Sequence, residues 1–480
     1  MKTSVTKGTL YLIIAQVIFL VVGYVVQITL GRLMGPEVYG VFGVIVGIMS
    51  VVTLVPSSGV PVAVSKFVGE NEQKAGGIMR EGLRIQLAIC TVLFIIYFSS
   101  AELIASAFSD PRFVLYVRIT SISIFLAGIG NLYYNYLNGM RYFWKQSVVY
   151  AVSSITKLLA ILLVVLGFGL LGAVSDYLFS YLTILVLSFW FSGRITGGGF
   201  DWRKLFYFSA PLIVYAALSN ILQNMDLFMV KALLKSDDLA GYYTSASMIG
   251  KLFYLLVGTL FATLIPAISN SIAKNDKKRT TKYVTSSIRY AVMLLVPISL
   301  VVSPTATGLV SIVYSTKFAP AGEPLSIFIF GACFLTLLTG LSSMIIAAGR
   351  PKVCMGIFAL ACAISLALGI MLIPTMGIYG AAVATTGSTL VGMVIAAYYV
   401  AKEFGCLIRV KSLARISIAS LSIYLLALFI HLPDNWLLPF EYAVLFGIYF
   451  VILLATKEIG KDDFRMVEKV IPKELKIRMG

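Results

Sequence analysis

Two lysines of this chain lie within long apolar stretches, where a charge is costly unless it meets a partner or water. Lys157 stands midway along such a stretch, and Ser153 and Ser154 precede it on one helical face. Lys251 stands in the middle of another. A lysine ammonium acts as a point charge and could hold an anionic group such as a pyrophosphate. We expect both lysines to bind an anionic ligand; the alternative is a structural ion pair.

Amides recur at helical spacing in a third apolar stretch. Asn131, Asn135 and Asn138 follow one another at i, i+4 and i+7, and tyrosines stand between them. This spacing places all three amides on one face of a helix. Amides beside aromatic rings suit sugar hydroxyls, so we expect this face to contact a sugar. Hydrogen bonds between helices are the alternative.

A polar stripe precedes a deep acid in the seventh apolar stretch. The stripe consists of Ser219, Asn220, Gln223 and Asn224. We expect it to line a cavity and bind sugar hydroxyls. Asp226 follows directly and could be a cation or proton site. The alternative for Asp226 is an ion pair with Lys251 or Lys157.

Two arginines and three prolines complete the candidates. Arg118 lies near one end of the fourth apolar stretch and Arg32 follows the first, and both could contact substrate. Pro56 and Pro61 interrupt the second stretch, and Pro266 interrupts the eighth. Because proline removes a helical hydrogen bond, a paired break predicts bending, and we assign these three residues a gating role.

The elements that must position these residues are membrane helices. Of the 480 residues 59% are hydrophobic and 12% charged, against about 25% charged in soluble proteins. Stretches of about 20 apolar residues, each able to span a bilayer, follow one another along the chain. We count fourteen: 9–31, 38–62, 83–101, 113–137, 146–166, 170–192, 204–230, 239–268, 284–303, 323–347, 353–373, 377–400, 413–431 and 436–456. The sequence predicts an all-α integral membrane protein.

The connecting loops alternate in charge. With fourteen spans, loops and tails on one side hold 30 of the 38 Lys and Arg residues, and the other side holds six. This positive-inside signal predicts a multi-pass protein of the cytoplasmic membrane with both termini in the cytoplasm. It also explains the net charge of +17 by anionic lipid headgroups as neighbours, so we expect no nucleic-acid partner.

The chemistry that the sequence lacks also narrows the function. There is one histidine, and the five cysteines include no C-x-x-C pair, so we expect no metal site. No Gly-x-x-x-x-Gly-Lys-Ser/Thr motif points to ATP. No loop exceeds about 20 residues by this span count, which leaves no room for a catalytic domain. We expect neither enzyme activity nor a cofactor, but coupling to Na⁺ or H⁺ remains open.

The chain also repeats itself. Gly-x-x-Gly-Ala occurs at Gly169–Ala173 and again at Gly377–Ala381, each time between two apolar stretches. Four further features recur in the same order at offsets of 200 to 210 residues: an acidic turn, a proline, an arginine and a basic loop. The repeat predicts two six-helix lobes, 1–202 and 203–405, related by a pseudo-two-fold axis along the membrane normal. Two appended helices at 406–456 and a basic cytoplasmic tail at 457–480 follow.

The motif GRLMGPEVYGVFG at 31–43 resembles the turn of polysaccharide-transporter flippases. These belong to the multidrug/oligosaccharidyl-lipid/polysaccharide exporter superfamily, and NGMRYFWKQ at 138–146 is similar to theirs. The resemblance covers the whole chain and implies twelve to fourteen helices in two lobes. It also implies that Arg32 belongs to the turn motif and that the second and eighth helices line a lateral opening.

Three functions follow from these observations. The first is a flippase that moves a lipid-linked oligosaccharide, carried on a polyprenyl phosphate or pyrophosphate, by alternating access. The second is a cation-coupled multidrug exporter of the same superfamily, and the third is a membrane enzyme or scaffold of polysaccharide synthesis. As partners we expect membrane lipids, the lipid-linked saccharide, and glycan polymerase or transferase proteins, with the chain itself a monomer.

Overall fold

The computed structural model describes residues 5–274, 276–430 and 434–460, and within helices it describes only the backbone at 5–7, 9, 253–256, 259–260, 262–267 and 273. Across this part of the chain there is no strand. The helices are α1 Val5–Ser58, α2 Val60–Glu70, α3 Ala75–Ser99, α4 Ala101–Ala107, α5 Arg112–Thr120, α6 Ser123–Gly139, α7 Phe143–Thr156, α8 Leu158–Leu163, α9 Gly169–Ser192, α10 Trp202–Leu234, α11 Asp237–Ala273, α12 Lys277–Val313, α13 Gly322–Ala347, α14 Pro351–Phe404, α15 Val410–Phe429 and α16 Leu438–Ala455. The predicted all-α fold is confirmed.

The number of membrane spans follows from where the long helices bend. Ten helical stretches are long and apolar enough to cross a membrane. Three of them, of 61, 50 and 54 residues, contain a non-helical glycine near the middle, so that each holds two spans. Helix α11, with 37 residues, supplies one more. These elements accommodate the fourteen predicted spans.

The two Gly-x-x-Gly motifs form the same turn. Gly169 has φ 50° and ψ −129°, and Gly377 has φ 61° and ψ −141°. Only glycine adopts such angles readily. Three residues later, a Cβ on Gly172 would lie 3.0 Å from the backbone of Leu163, and a Cβ on Gly380 would lie 2.4 Å from the Leu372 carbonyl oxygen. The first glycine makes the turn and the second lets the returning helix approach, as predicted.

The repeat keeps one register through a second pair of turns. Tyr142 N–H donates to the Leu137 carbonyl, and Arg350 N–H donates in the same way to the Ile345 carbonyl. The residues with positive φ in these turns are Arg141 (60°) and Gly349 (82°). Their offset is 208 residues, the same as between Gly169 and Gly377. The offset of 210 expected for this loop pair is therefore wrong by two residues.

The hydrophobic cores show how the two halves, α1–α9 and α10–α14, meet. We define the turn end of the molecule as residues 35–37, 109–112, 235–237 and 314–318. Near the turn end one buried cluster unites both halves, with Tyr39 and Phe113 from the first and Tyr243 and Phe318 from the second. Away from it each half has a core of its own, apart from Leu205 of α10 in the first-half cluster. The halves therefore share a core at one end only.

The last two helices are attached to the second half. Glu458, almost fully buried, follows α16 and accepts a hydrogen bond from Arg289 of α12 at 2.7 Å. Ser412 of α15 donates to the same carboxylate, and Arg415 lies 3.5 Å from it. The carboxylate thus joins α15 and α16 to α12. Most of the expected basic tail at 457–480 lies outside the described residues.

Candidate functional site

A cavity of about 210 Å³ lies between the two halves. The first half contributes Gly43, Gly47 and Ser50 of α1 and Tyr177 of α9. Helices α10 and α11 contribute the polar residues of the second half, which are Asn220, Gln223, Asn224, Thr244, Ser247 and Lys251. The structure therefore brings the predicted amide stripe and Lys251 together. The stripe lines the cavity because its residues recur at three and four positions along α10.

Hydrogen bonds connect the polar lining across the two halves. The Lys251 ammonium donates to Asn224 Oδ1 at 3.4 Å. Asn224 Nδ2 donates to Asn220 Oδ1 at 3.0 Å and to Ser50 Oγ at 3.3 Å. Ser50 Oγ is also 3.2 Å from Asn220 Oδ1. Neutral groups therefore orient the amides, while Gln223 bonds only within its own helix, to Ser219.

Asp226 lies behind this lining, within the second half. Its Oδ2 accepts from Tyr243 at 2.7 Å and from Thr385 at 3.0 Å, and its Oδ1 accepts from its neighbour's backbone N–H at 2.8 Å. Asp226 and Lys251 attract each other electrostatically. The carboxylate thus ties α10, α11 and α14 together and does not line the cavity.

Lys157 is placed differently from Lys251. Its ammonium lies 4.0 Å from Asp176 Oδ1, with both residues buried. The rings of Phe19 and Tyr177 each lie 5.0 Å away, in the geometry of cation–π contacts. Lys157 does not belong to the cavity lining described above. Its surroundings are those of the structural ion pair that the sequence left open.

Arg32 and Arg118 both lie near the turn end. Arg32 of α1 donates from Nε to the Val313 carbonyl at 2.9 Å and from Nη2 to the Ile312 carbonyl, at the C-terminus of α12. Arg118 is paired at 3.2 Å with the exposed Glu102 and lies over Phe98. Neither arginine reaches the cavity. Arg32 connects the two halves, and Arg118 remains on the surface of the first.

The turn end holds the halves together through backbone contact. A Cβ on Gly40 would lie 2.1 Å from the Asp237 carbonyl oxygen, and a Cβ on Gly241 would lie 1.9 Å from the Pro36 carbonyl oxygen. These reciprocal contacts join corresponding turns of the repeat. Only residues without a side chain allow such an approach.

Four charged residues surround this contact, which we call the turn-end cluster: Asp110, Arg112, Lys231 and Asp237. Asp110 pairs with Arg112 at 2.8 Å and with Lys231 at 3.5 Å. Arg112 and Lys231 also pair with Asp237. Burial alone would raise the pKa of Asp110, but the hydrogen bonds and charge of Arg112, with the charge of Lys231, lower it below its ordinary value. Both halves contribute to the cluster, so it stabilises their closure.

The second amide stripe bonds mostly within its own half. Asn131 Nδ2 donates to Ser57 Oγ at 3.2 Å and to the Ala127 carbonyl, and Asn135 donates to the Asn131 carbonyl at 2.9 Å. Asn138 stands at the end of α6. The three amides do not line the described cavity, and Asn131 makes the helix-to-helix bond that was the alternative.

The prolines mark a real break. Helix α1 ends at Ser58 and α2 begins at Val60, so Pro56 and Pro61 lie on either side of a non-helical Gly59. The Gln86 amide donates to the Pro56 carbonyl at 2.6 Å, beside the break. Pro266 lies in α11 among residues whose side chains are outside the described structure. The predicted interruption of the second span is confirmed, and gating remains a prediction.

Sequence reasoning did not find several of these residues. Ser50, Tyr243 and Thr385 are common residue types in apolar helices and carry no signal of their own. The turn-end cluster was missed as a unit because Asp110 and Asp237 look like ordinary loop acids. The acidic turn at 233–241 was nevertheless recognised as one element of the repeat, and that repeat is the signal that could have led to the cluster.

Comparison with known proteins follows from this geometry. The family described as polysaccharide biosynthesis protein matches residues 29–323, which is more than half of the chain. The chain belongs to this family. The match begins before the turn at Gly35 and ends at the start of α13, so it includes the cavity and the turn-end cluster.

Three relatives in this family's range are archaeal. The chain is 26% identical to an uncharacterized membrane protein of Methanocaldococcus jannaschii over 38% of this chain and 36% of the relative. It is 22% identical to the probable low-salt glycan biosynthesis flippase Agl15 of Haloferax volcanii over 56% of this chain and 58% of the relative. A second M. jannaschii membrane protein is 20% identical over 80% and 94%. The chain thus spans about a third and just over half of the first two relatives.

Solved structures share the fold. The lipid II flippase MurJ in an inward closed conformation matches with a TM-score of 0.73 and 16% identity, over 92% of this chain and 98% of that one. An inward-facing multidrug resistance MATE family transporter of the MOP superfamily matches with a TM-score of 0.67 and 13% identity, over 79% and 94%. This polysaccharide biosynthesis protein therefore has the fold of the MOP superfamily, as the sequence resemblance implied.

Proposed function

We propose that this protein is a flippase that carries a lipid-linked saccharide across the cytoplasmic membrane for surface polysaccharide or glycan assembly. The observation that carries the proposal is the cavity between the halves, where Lys251 stands beside a stripe of amides. Amide and hydroxyl groups suit sugar hydroxyls, and the lysine suits a phosphate. The family and the printed name of the Haloferax relative support the same function.

Alternating access follows from how the halves meet. In this proposal the saccharide head occupies the cavity while the lipid tail stays in the bilayer. The units 1–202 and 203–405 rock against each other, and the appended helices move with the second. With both termini in the cytoplasm, the turn end faces outside, and the described state is closed to the outside by Gly40, Gly241 and the turn-end cluster.

The energy source and the partners belong to the same proposal. Asp226 is the acid that lies closest behind the lining, and a Na⁺ ion or proton at this carboxylate would alter its attraction to Lys251. We propose that the protein works as a monomer without a cofactor. Its partners are membrane lipids and the polymerase or transferase that uses its product.

A second candidate is a cation-coupled multidrug exporter, because the MATE transporter shares the fold. A cationic drug would need an acid in the cavity, whereas the described lining contains a lysine and neutral groups. This lining favours the saccharide. An enzymatic or scaffolding role has no comparable support from the site.

Deleting the gene separates these functions. We expect lipid-linked saccharide to accumulate in the cytoplasmic leaflet and surface glycan to be lost, with both reversed by the wild-type gene. Normal glycan together with raised sensitivity to cationic dyes would instead identify a multidrug exporter. Loss of glycan without accumulation of any lipid-linked saccharide would point to an enzyme of saccharide assembly.

A further inference from the structure

Most cations near the interface between the halves already have partners. Lys157 pairs with Asp176, and Arg118 pairs with Glu102. Arg32 donates to two carbonyl groups of α12. Arg112 and Lys231 are both held by the two acids of the turn-end cluster. None of these groups can bind a ligand anion without giving up a contact that the fold uses.

Lys251 is different within the described cavity lining. Its hydrogen-bond partner there is the neutral Asn224, and it is the one charged residue among the described lining residues. The remaining polar groups of the lining are amides and hydroxyls. Asp226 lies behind and attracts Lys251. The net positive charge that this cavity offers a ligand is therefore at most one.

The charge of the cavity can be compared with the charge of possible head groups. A saccharide joined to a lipid through one phosphate carries one negative charge on a phosphodiester. A saccharide joined through a pyrophosphate carries two. An unpaired charge away from water is strongly unfavourable, and a like charge such as that of Asp226 adds repulsion. One lysine can therefore balance the phosphodiester, but not the pyrophosphate.

The type of cation supports the same choice. Lysine is a compact point charge, whereas arginine presents a planar fork that binds several phosphate oxygens at once. No arginine lines the described cavity. Amides such as those of Asn220 and Gln223 can donate to the uncharged oxygens of one phosphate and to sugar hydroxyls.

We propose that the substrate is a saccharide linked to its lipid through a single phosphate, and that Lys251 pairs with that phosphate. This inference rests on the proposed flippase function and narrows it from the two kinds of linkage that the sequence left open. It makes the number of phosphates a property that the cavity selects. Adding a second cation to the lining should change that selection.

Binding to the purified full-length protein in nanodiscs tests the proposal. The probes are a short-chain polyprenyl-phosphate glucose, a polyprenyl-pyrophosphate glucose of the same chain length, and a neutral diacylglycerol glucoside. We expect the monophosphate lipid to bind at least tenfold more tightly than either of the others. Lys251→Met should reduce its binding to that of the neutral lipid.

A variant with reversed expectation provides the control. Gln223→Lys adds a second cation to the same lining, and we expect it to raise pyrophosphate binding at least tenfold, while Gln223→Met should not. Equal or tighter pyrophosphate binding by the wild type would overturn the single-phosphate proposal and leave the flippase function intact. Equal binding of the neutral lipid would overturn phosphate recognition. Failure of all three lipids to bind would reject the flippase function itself.

Discussion

Two lysines in similar sequence surroundings have different roles at the residue scale. Lys157 and Lys251 both stand deep in apolar stretches, and the sequence predicted anion binding for both. The structure pairs Lys157 with Asp176, and it places Lys251 in the cavity. Depth in the membrane can be read from hydropathy. The rotation of each helix about its axis, which selects the partner, depends on packing across the fold and cannot be read from it.

The ion pair predicts a stability effect at Lys157. Lys157→Met leaves the buried Asp176 without its cation, and removing one partner of a buried pair costs about 3 kcal/mol. We expect a lower unfolding temperature in detergent. The double variant Lys157→Met with Asp176→Asn should recover most of the loss. A single variant that unfolds at the wild-type temperature would show that the pair does not stabilise the fold.

Asp110 predicts a dependence of the turn end on pH. Because its pKa in the folded protein lies below its ordinary value of about 3.9, ionised Asp110 stabilises the fold above that value. The contribution is lost as the pH falls through the lowered pKa, and it is complete at neutral pH. Unfolding temperatures measured between pH 6 and pH 3 should fall less for Asp110→Asn than for the wild type. Parallel curves would contradict this role.

At the element scale, the glycine turns were predictable and the interhelical bonds were not. Gly169 and Gly377 repeat within one short motif, and their backbone angles differ by only 11° in φ and 12° in ψ. A local motif fixes a local conformation. The bond from Asn131 to Ser57 joins residues 74 positions apart, so no local pattern could specify it.

Gly377 allows a matched test of the turn. Gly377 and Gly356 both lie in α14, and a Cβ on either would meet nothing within 4 Å. Only Gly377 has a positive φ, so Gly377→Ala should destabilise by about 1–3 kcal/mol. Gly356→Ala should be neutral or stabilising, because alanine favours a helix. Thermal unfolding of both variants measures the difference, and equal unfolding temperatures would contradict the assignment.

At the scale of the whole molecule, the two halves share a core near the turn end and have separate cores away from it. The sequence predicted two similar halves from the repeat, and hydropathy with glycine turns predicted the number of spans. It could not predict which end would be closed. That depends on contacts between distant residues such as Gly40 and Gly241, and on the conformational state.

The contact between Gly40 and the Asp237 carbonyl predicts a variant that cannot close. Gly40→Ala would place its Cβ 2.1 Å from that oxygen, so the turns must separate. Disulfide formation between Arg112→Cys and Asp237→Cys in membranes reports closure, and we expect it to fall at least fivefold in Gly40→Ala. Gly23→Ala, in the same helix with open space around it, is the control. Unchanged disulfide formation in Gly40→Ala would mean that this contact does not determine closure.

The central claim is that the cavity at Lys251 carries a lipid-linked saccharide between leaflets. Its most direct test is the transfer of a fluorescent polyprenyl-phosphate saccharide across proteoliposomes that contain the full-length protein. The account predicts transfer well above that of empty vesicles, a loss of at least tenfold in Lys251→Met, and wild-type transfer in Lys317→Met, which removes an exposed lysine. Transfer no faster than in empty vesicles, or equal transfer by Lys251→Met and the wild type, would contradict it.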